Sequence, residues 1–496
     1  MELAMLAFER PAIDWHAFAP ELVLLAVGSI LTLIDIVYNE RARRVMPALA
    51  AVGLLATLVP VLTLAVDGAD RSMFDGAFVV DDMALTLKAL FLISGFVVVL
   101  LSVDYIRDGD YHENEYYSLL LASLLGMVLI ASSRDLITMF IALELLSIPA
   151  YMLAAWRKGG ATSNEAGLKY YLMGVFASAI MLYGMSLIFG VSGSTQFDAI
   201  RVALDTGGDS APMVTLGILF VLVGFGFKVS AVPFHTWAPD VYEGSPTPIT
   251  AFLAVAAKAA GFVALLQLVF VAFSGRYDVV EPFFWIMAAL TMTVGNLMAL
   301  RQTNIVRMLA YSGVAQGGFM LAPFAVAGQA TDSAIQAIVT YLIIYAFMNL
   351  GAFAVVLAVA KKTRSGEISS YAGLFSYAPG LAVAMTVFMA ALAGIPPAGG
   401  WVAKLLVWRA LLDASSVQGT VLAVVVAFNA VLAFSYYAKV LREMWMSDAP
   451  DGDTSPVSVS GTLTLALGLT VLATLAFGVF PQLAARFGDF SASFAL

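Results

Sequence analysis

The chain has 496 residues, 61% of them apolar and 12% charged, and a mean hydropathy of +0.92. A soluble domain is nearer half apolar and a quarter charged, so lipid is the main solvent here, and at about 20 residues per crossing the length leaves no soluble domain of any size. The net charge of −9 offers nucleic acid no basic face, the absence of cysteine excludes disulfides, cysteine-ligated iron–sulfur clusters and thiolate zinc, and three scattered histidines (His16, His112, His235) are too few for bis-histidine haem.

Met1 to Phe18 lacks the basic flank and unbroken apolar core of a cleaved signal, so the first span is expected to stay. Apolar runs follow at about 19–38, 45–66, 83–103, 116–132, 135–156, 167–191 and 213–238. They continue at about 246–273, 280–299, 305–327, 333–360, 377–411, 417–440 and 460–484. In lipid a helix satisfies every backbone group internally, whereas outer-membrane strands would alternate over about ten residues. The expectation is an all-α integral membrane protein of about 14 transmembrane helices in a single polytopic domain. The connections after helices 1, 3, 5, 9, 11 and 13 carry twelve cations: Arg41, Arg43, Arg44, Arg107, Arg157, Lys158, Arg301, Arg307, Lys361, Lys362, Arg364 and Arg442. The opposite side has six, Arg10, Arg71, Arg134, Arg201, Arg276 and Arg486, with Arg409 at a helix end near it. Positive charge stays inside, so both termini are expected outside the cytoplasm.

Helices 7 and 12 are interrupted alike. Each has proline four residues before tryptophan, Pro233 to Trp237 and Pro397 to Trp401. The twelfth run, unbroken, would be roughly 52 Å long at 1.5 Å per residue, too long for one straight crossing. Five positions apart, the two helices cross in opposite directions, which predicts a five-helix unit repeated with inverted topology; paired discontinuous helices mark a transport path. An ordinary proline kink in each is the plainer alternative.

Four ionisable residues lie well inside their runs: Glu144 in helix 5, Lys228 in helix 7, Lys258 in helix 8 and Lys404 in helix 12. A lysine at mid-bilayer costs about 2.5–3.5 kcal/mol on the translocon scale, so a partner, trapped water or function must offset the three. Snorkelling fits Lys88, Lys169 and Lys439, nearer helix ends, but not Glu144 or Lys258, with about ten apolar residues on either side. Proline supplies acceptors beside the charges: Pro233 frees the carbonyl of Val229, Pro396 and Pro397 those of Leu392 and Ala393, and Pro149 that of Leu145. Small residues flank Lys258 from Ala256 to Gly261 and let helices or water come close. An ammonium in hydrocarbon gives up its proton more readily than in water, and a nearby carboxylate reverses this. The expected relay has Glu144 modulating Lys228, which passes protons through Lys258 toward Lys404. His235, two residues beyond Pro233, is a possible proton relay or a helix-end histidine bonded to backbone. Asp35 and Arg107 read as solvated border charges, and Gly224-x-Gly226 lacks the third glycine of a dinucleotide site.

Glu165 to Gly184, Val232 to Pro248 running on to Lys258, and Arg307 to Gln316 carry a family resemblance. They resemble the subunit N family of bacterial type I, proton-pumping NADH:quinone oxidoreductase, over nearly the whole chain. In the wider antiporter-like family histidine is common near Gln316. The resemblance implies helices 1–3 at about 19–103, inverted repeats of helices 4–8 (about 116–273) and 9–13 (about 280–440), and helix 14 at about 460–484. It carries the helix 5 glutamate onto Glu144 and the helix 7, 8 and 12 lysines onto Lys228, Lys258 and Lys404. It implies a bacterial inner membrane, periplasmic termini and other membrane-arm subunits as partners, with antiporter-like neighbours among them. NADH, FMN, iron–sulfur clusters and quinone would be held by other subunits, with no cofactor or metal in this chain. The chain ends soon after helix 14, without the long lateral helix of the related subunit L. A subunit of a multi-chain Na+/H+ antiporter with the same fold is the alternative, and a non-conducting scaffold the third. Lys228 precedes Pro233 by five residues whereas Lys404 follows Pro397 by seven, so strict repeat equivalence of the two lysines is not expected.

Overall fold

A computed structural model describes residues 12–38, 45–109, 114–206, 211–449 and 455–489. Arg10, Arg41, Arg43, Arg44 and His112 lie outside the described residues. Among the described residues, twelve helices are long and apolar enough to span a membrane: Ala19–Tyr38, Met46–Asp67, Asp82–Asp108, Glu115–Ser132, Leu136–Ala154, Ala161–Ser192, Thr247–Ala272, Ser274–Leu300, Ile305–Val326, Thr331–Thr363, Val417–Met446 and Gly461–Val479. They fall on runs 1–6, 8–11, 13 and 14, and keep those numbers below. Runs 7 and 12 each form two shorter helices, Ala211–Lys228 with Trp237–Gly244 and Pro379–Ala393 with Gly400–Asp413. Side chains at the starts close several first turns, as Asp81, Asp135, Asn304, Ser416 and Ser460 accept from backbone N–H groups two or three residues on.

The bundle sorts its helices by what they touch. Helices 8 and 10 are wholly interior, 11 and 3 nearly so, while helices 1 and 14 bury less than a third of their apolar window. Exposed Leu33, Val52, Phe176, Phe428, Val431 and Leu472 form the outer surface, the normal face of a protein in hydrocarbon.

A small two-stranded sheet departs from the all-helical expectation. Strands β1 (Arg71–Met73) and β2 (Phe78–Val80) pair antiparallel with Arg71 opposite Val80. Phe74, Asp75 and Gly76 all turn through positive φ, of 55°, 55° and 88°. Arg71 ties this hairpin to Asp14 at 2.7 Å. Asp14 also accepts from the backbone N–H groups of Ala17 and His16; these bonds and Arg71 hold its carboxyl below the usual carboxylate range.

Candidate functional site

The first half of helix 7 ends on Lys228. Ser230 turns through a φ of 58°, Pro233 has no N–H to continue the ladder, and the chain resumes as helix at Trp237. The indole of Trp237 reaches back and donates to the carbonyl of Phe227 at 3.2 Å, closing the end of the first half. Lys228 is 4% exposed; its ammonium donates to Ser147 Oγ at 2.7 Å, and the Tyr170 ring lies 5.7 Å away. Ser147 in turn donates to the carbonyl of Leu143.

Glu144, one turn from Ser147, accepts from Ser178 Oγ at 2.6 Å. No ion pair joins it to Lys228. Nor is it deep in the bundle: it is half-buried, on the face of helix 5 that also exposes Ile141 and Ile148. The direct contact between the two residues is therefore absent: Lys228 bonds Ser147 and Glu144 bonds Ser178.

Helix 8 widens into π-turns over Leu253–Ala257 and Leu268–Ala272, and Lys258 directly follows the first. Such turns are rare and concentrate at functional sites. The Lys258 ammonium donates to the carbonyl of Gly313 on helix 10 at 2.7 Å. Glycine leaves the room: a Cβ at position 313 would lie 3.2 Å from both Lys258 Nζ and the Tyr345 hydroxyl.

From there a chain of neutral polar groups crosses the interior. Ser312 and the Tyr437 hydroxyl are 2.6 Å apart, and the Gln316 amide donates to Tyr437 at 3.1 Å and to the carbonyl of Leu392 at 2.9 Å. The hydroxyl of Tyr341 donates to the Gln316 carbonyl oxygen. Lys404 completes the row, its ammonium donating to the carbonyls of Leu392 and Ala393, each at 2.9 Å. Those carbonyls lack helical donors because residues 396 and 397 are prolines. Gln316 and Lys404 thus share one acceptor, Leu392.

The two broken helices each set a lysine at the break, from opposite sides. Lys228 is the last residue of its half-helix, whereas Lys404 starts beyond its break and folds back onto the last carbonyls of the preceding half. The Lys404 ammonium thus ends at the carbonyl end of a half-helix, where the backbone dipole favours a cation, whereas that of Lys228 is held by Ser147 of helix 5. Pro233 and Thr236 are exposed and His235 is half-buried in the break of helix 7, with its ring beside the Pro233 backbone and 6.4 Å from the ring of Tyr311.

Sequence reasoning misplaced Lys88 and missed a charge cluster and a cavity. Lys88 does not snorkel: it is fully buried and lies 2.7 Å from Glu21, which is equally enclosed, because helix 1 and the hairpin cover the position. Lys169 instead bridges Glu165 and Asp240 at 2.7 Å each, and Arg307 bonds Asp240 and Glu243 at 2.9 and 2.7 Å, a charge cluster beside the helix 7–8 connection. Lys439 bonds the carbonyl of Gln302 at 3.0 Å near a helix end. On the same side as that cluster opens a cavity of about 500 Å³ lined by Asp104, Asp108, Arg157, Glu243, Lys361 and Arg364. Among the described residues, no group of three or more His, Cys, Asp and Glu is placed to hold a metal ion.

A family model described as NADH:quinone oxidoreductase/Mrp antiporter, TM, matches residues 133–432. The NADH-quinone oxidoreductase subunit N of Trichlorobacter lovleyi is 38% identical over 479 residues, 96% of each chain. A chain of respiratory complex I from Thermus thermophilus with bound aureothin superposes with a TM-score of 0.78 at 30% identity, covering 94% of this chain and 98% of that one. A chain of the Mrp complex from Dietzia sp. shares the fold, with a TM-score of 0.86 at 20% identity over 97% of each.

Proposed function

Because this chain belongs to the NADH:quinone oxidoreductase/Mrp antiporter family of membrane subunits, alongside those named subunit N, we propose that it is a proton-translocating subunit of a bacterial respiratory NADH:quinone oxidoreductase. The observation that carries this is the enclosed set of Lys228, Lys258 and Lys404, the last two joined by a polar row of Gly313, Ser312, Tyr437, Gln316 and Leu392. Each ammonium is nine-tenths or more buried, and its bonds are to neutral groups that accept from the charged form and release it without an ion pair to break. Lysines held in this way suit proton transfer better than permanent charge storage.

Glu144 takes the outermost place. It stands half-exposed in an apolar helix face, where an isolated carboxylate facing lipid would be costly. A neighbouring membrane-arm subunit covers that face in this reading, and the charge state of Glu144 reports to Lys228 through helix 5. Helices 4–8 and 9–13 act as inverted repeats in this reading, supported by the paired breaks of helices 7 and 12. The cation-rich connections face the cytoplasm, both termini face the periplasm, and the cavity beside Glu243 is the mouth through which protons arrive. NADH, FMN, iron–sulfur clusters and quinone work in other subunits.

The test is purification of the tagged chain from native membranes in mild detergent, reconstitution into vesicles, and measurement of NADH-driven acidification. Co-purification with NADH-oxidising subunits, and pumping that falls when Lys258 is changed to methionine, support the reading. A solitary chain that exchanges Na+ for protons would replace it with the antiporter reading, for which the fold likeness to the Mrp complex is the supporting observation.

A further inference from the structure

Glu21 and Lys88 form a buried pair in helices 1 and 3, ahead of the stretch that the family model matches. Their side chains are 3% and 0% exposed, and nitrogen and oxygen are 2.7 Å apart. Beyond each other, Lys88 Nζ and the Glu21 oxygens find no hydrogen-bonding side chain among the described residues. A pair kept for stability alone has its remaining donors and acceptors satisfied, because burying them bare offsets the attraction.

The same end of the bundle holds more such atoms. Helices 1 and 3 start there and helices 4 and 8 end there. Ser132 Oγ and Arg134 Nη1, at the end of helix 4, and Gln267 Oε1, near the end of helix 8, are also buried without a hydrogen-bond partner among the described residues. Gln267 is held in place by its amide, which donates to the carbonyls of Ile130 and Ala131 at 3.0 and 2.7 Å. Arg134 pairs with Asp81 at 2.8 Å just below the hairpin. Phe78 of the hairpin lies 5.0 Å from the Lys88 ammonium and 5.4 Å from Phe18, covering the Lys88 side of the pair. Gln267 stands nine residues along helix 8 from Lys258, about 13 Å at 1.5 Å per residue. Several partnerless polar atoms on converging helix ends are what buried water requires, since each water takes two to four polar neighbours.

We propose that Glu21 and Lys88 are a second proton-exchanging pair, hydrated from within and placed on the side from which protons leave. The Lys88 ammonium passes a proton to the Glu21 carboxylate, leaving a neutral amine and a neutral acid. Glu21 then gives that proton to water on the outer side, and the amine takes another from the interior water that Gln267 and Ser132 help to hold. This rests on the proton-translocating reading above.

The test uses the whole complex in vesicles, comparing protons moved per NADH oxidised in the parent, Lys88→Arg, and the double variant Glu21→Leu/Lys88→Met. Arginine keeps the ion pair but never releases its proton. Apolar replacement of both partners is well tolerated by folding. The expected result is normal assembly and NADH oxidation with loss of pumping in both. Parent-level pumping in either assembled variant overturns the proposal, and if one fails to assemble the other decides. A parent complex that moves no protons would overturn the proton-translocating reading itself, a separate outcome.

Discussion

Replacing Lys404 with methionine should leave the complex assembled and stop it pumping, because the energies of that change nearly cancel. Removing the ammonium takes away the donor on Leu392 and Ala393. Leu392 keeps the Gln316 amide, so one carbonyl, that of Ala393, is left bare at a cost of about 1–3 kcal/mol. Against this, a charge no longer has to be housed in the membrane interior, which relieves about 2.5–3.5 kcal/mol. Methionine fills much the same volume beside Phe319, whose ring lies 4.9 Å from the ammonium. The net change runs from about 0.5 kcal/mol against the variant to about 2.5 kcal/mol in its favour, so the folded state of a stable protein is not emptied. The assay has two arms: yield and melting temperature of the purified complex, and NADH-driven acidification in sealed vesicles. A complex that no longer assembles would refute the energetic reasoning, and one that pumps like the parent would remove Lys404 from the path.

Gly313→Ala should weaken pumping while sparing assembly, since its new methyl displaces the Lys258 ammonium and the Tyr345 hydroxyl by a few tenths of an ångström, and both are ends of movable side chains; acidification rate at equal complex content measures it. Gly400→Ala is the opposite case, with a Cβ placed 1.7 Å from the backbone oxygen of Ala391 across the break; overpacking of this kind costs about 1–3 kcal/mol or more, and a lowered melting temperature and poor recovery are expected. Gln316→Leu unseats the link between Tyr437, Tyr341 and Leu392 and leaves Lys404 otherwise in place; pumping should fall with little change in NADH oxidation by an uncoupled preparation.

The interior charges were legible because hydrocarbon makes them expensive, and Lys228, Lys258 and Lys404 are indeed enclosed. The breaks were legible because proline removes a donor at a fixed distance; the carbonyls freed by Pro396 and Pro397 are those that hold Lys404. Lys88 was misread because six residues from a helix start is within snorkelling reach. What prevents it is tertiary, a hairpin and a neighbouring helix brought over from 10 and 67 residues away in sequence. Glu21 gave no signal for the same reason. The link through Ser312, Gln316, Tyr341 and Tyr437 was equally silent, since a tyrosine or glutamine in an apolar run looks like ordinary core and its partners lie up to 125 residues off. The π-turns of helix 8 leave no mark in a uniformly apolar stretch.

The apolar spans of helices 8 and 10 are enclosed by protein. Differences in acyl length, headgroup or sterol content therefore press first on the outer ring, chiefly helices 1, 2, 6, 13 and 14, which can tilt and slide. The row from Lys258 to Gln316 is carried like a conductor inside insulation. Its spacing should stay constant from one membrane to the next, even as the sheath around it adjusts.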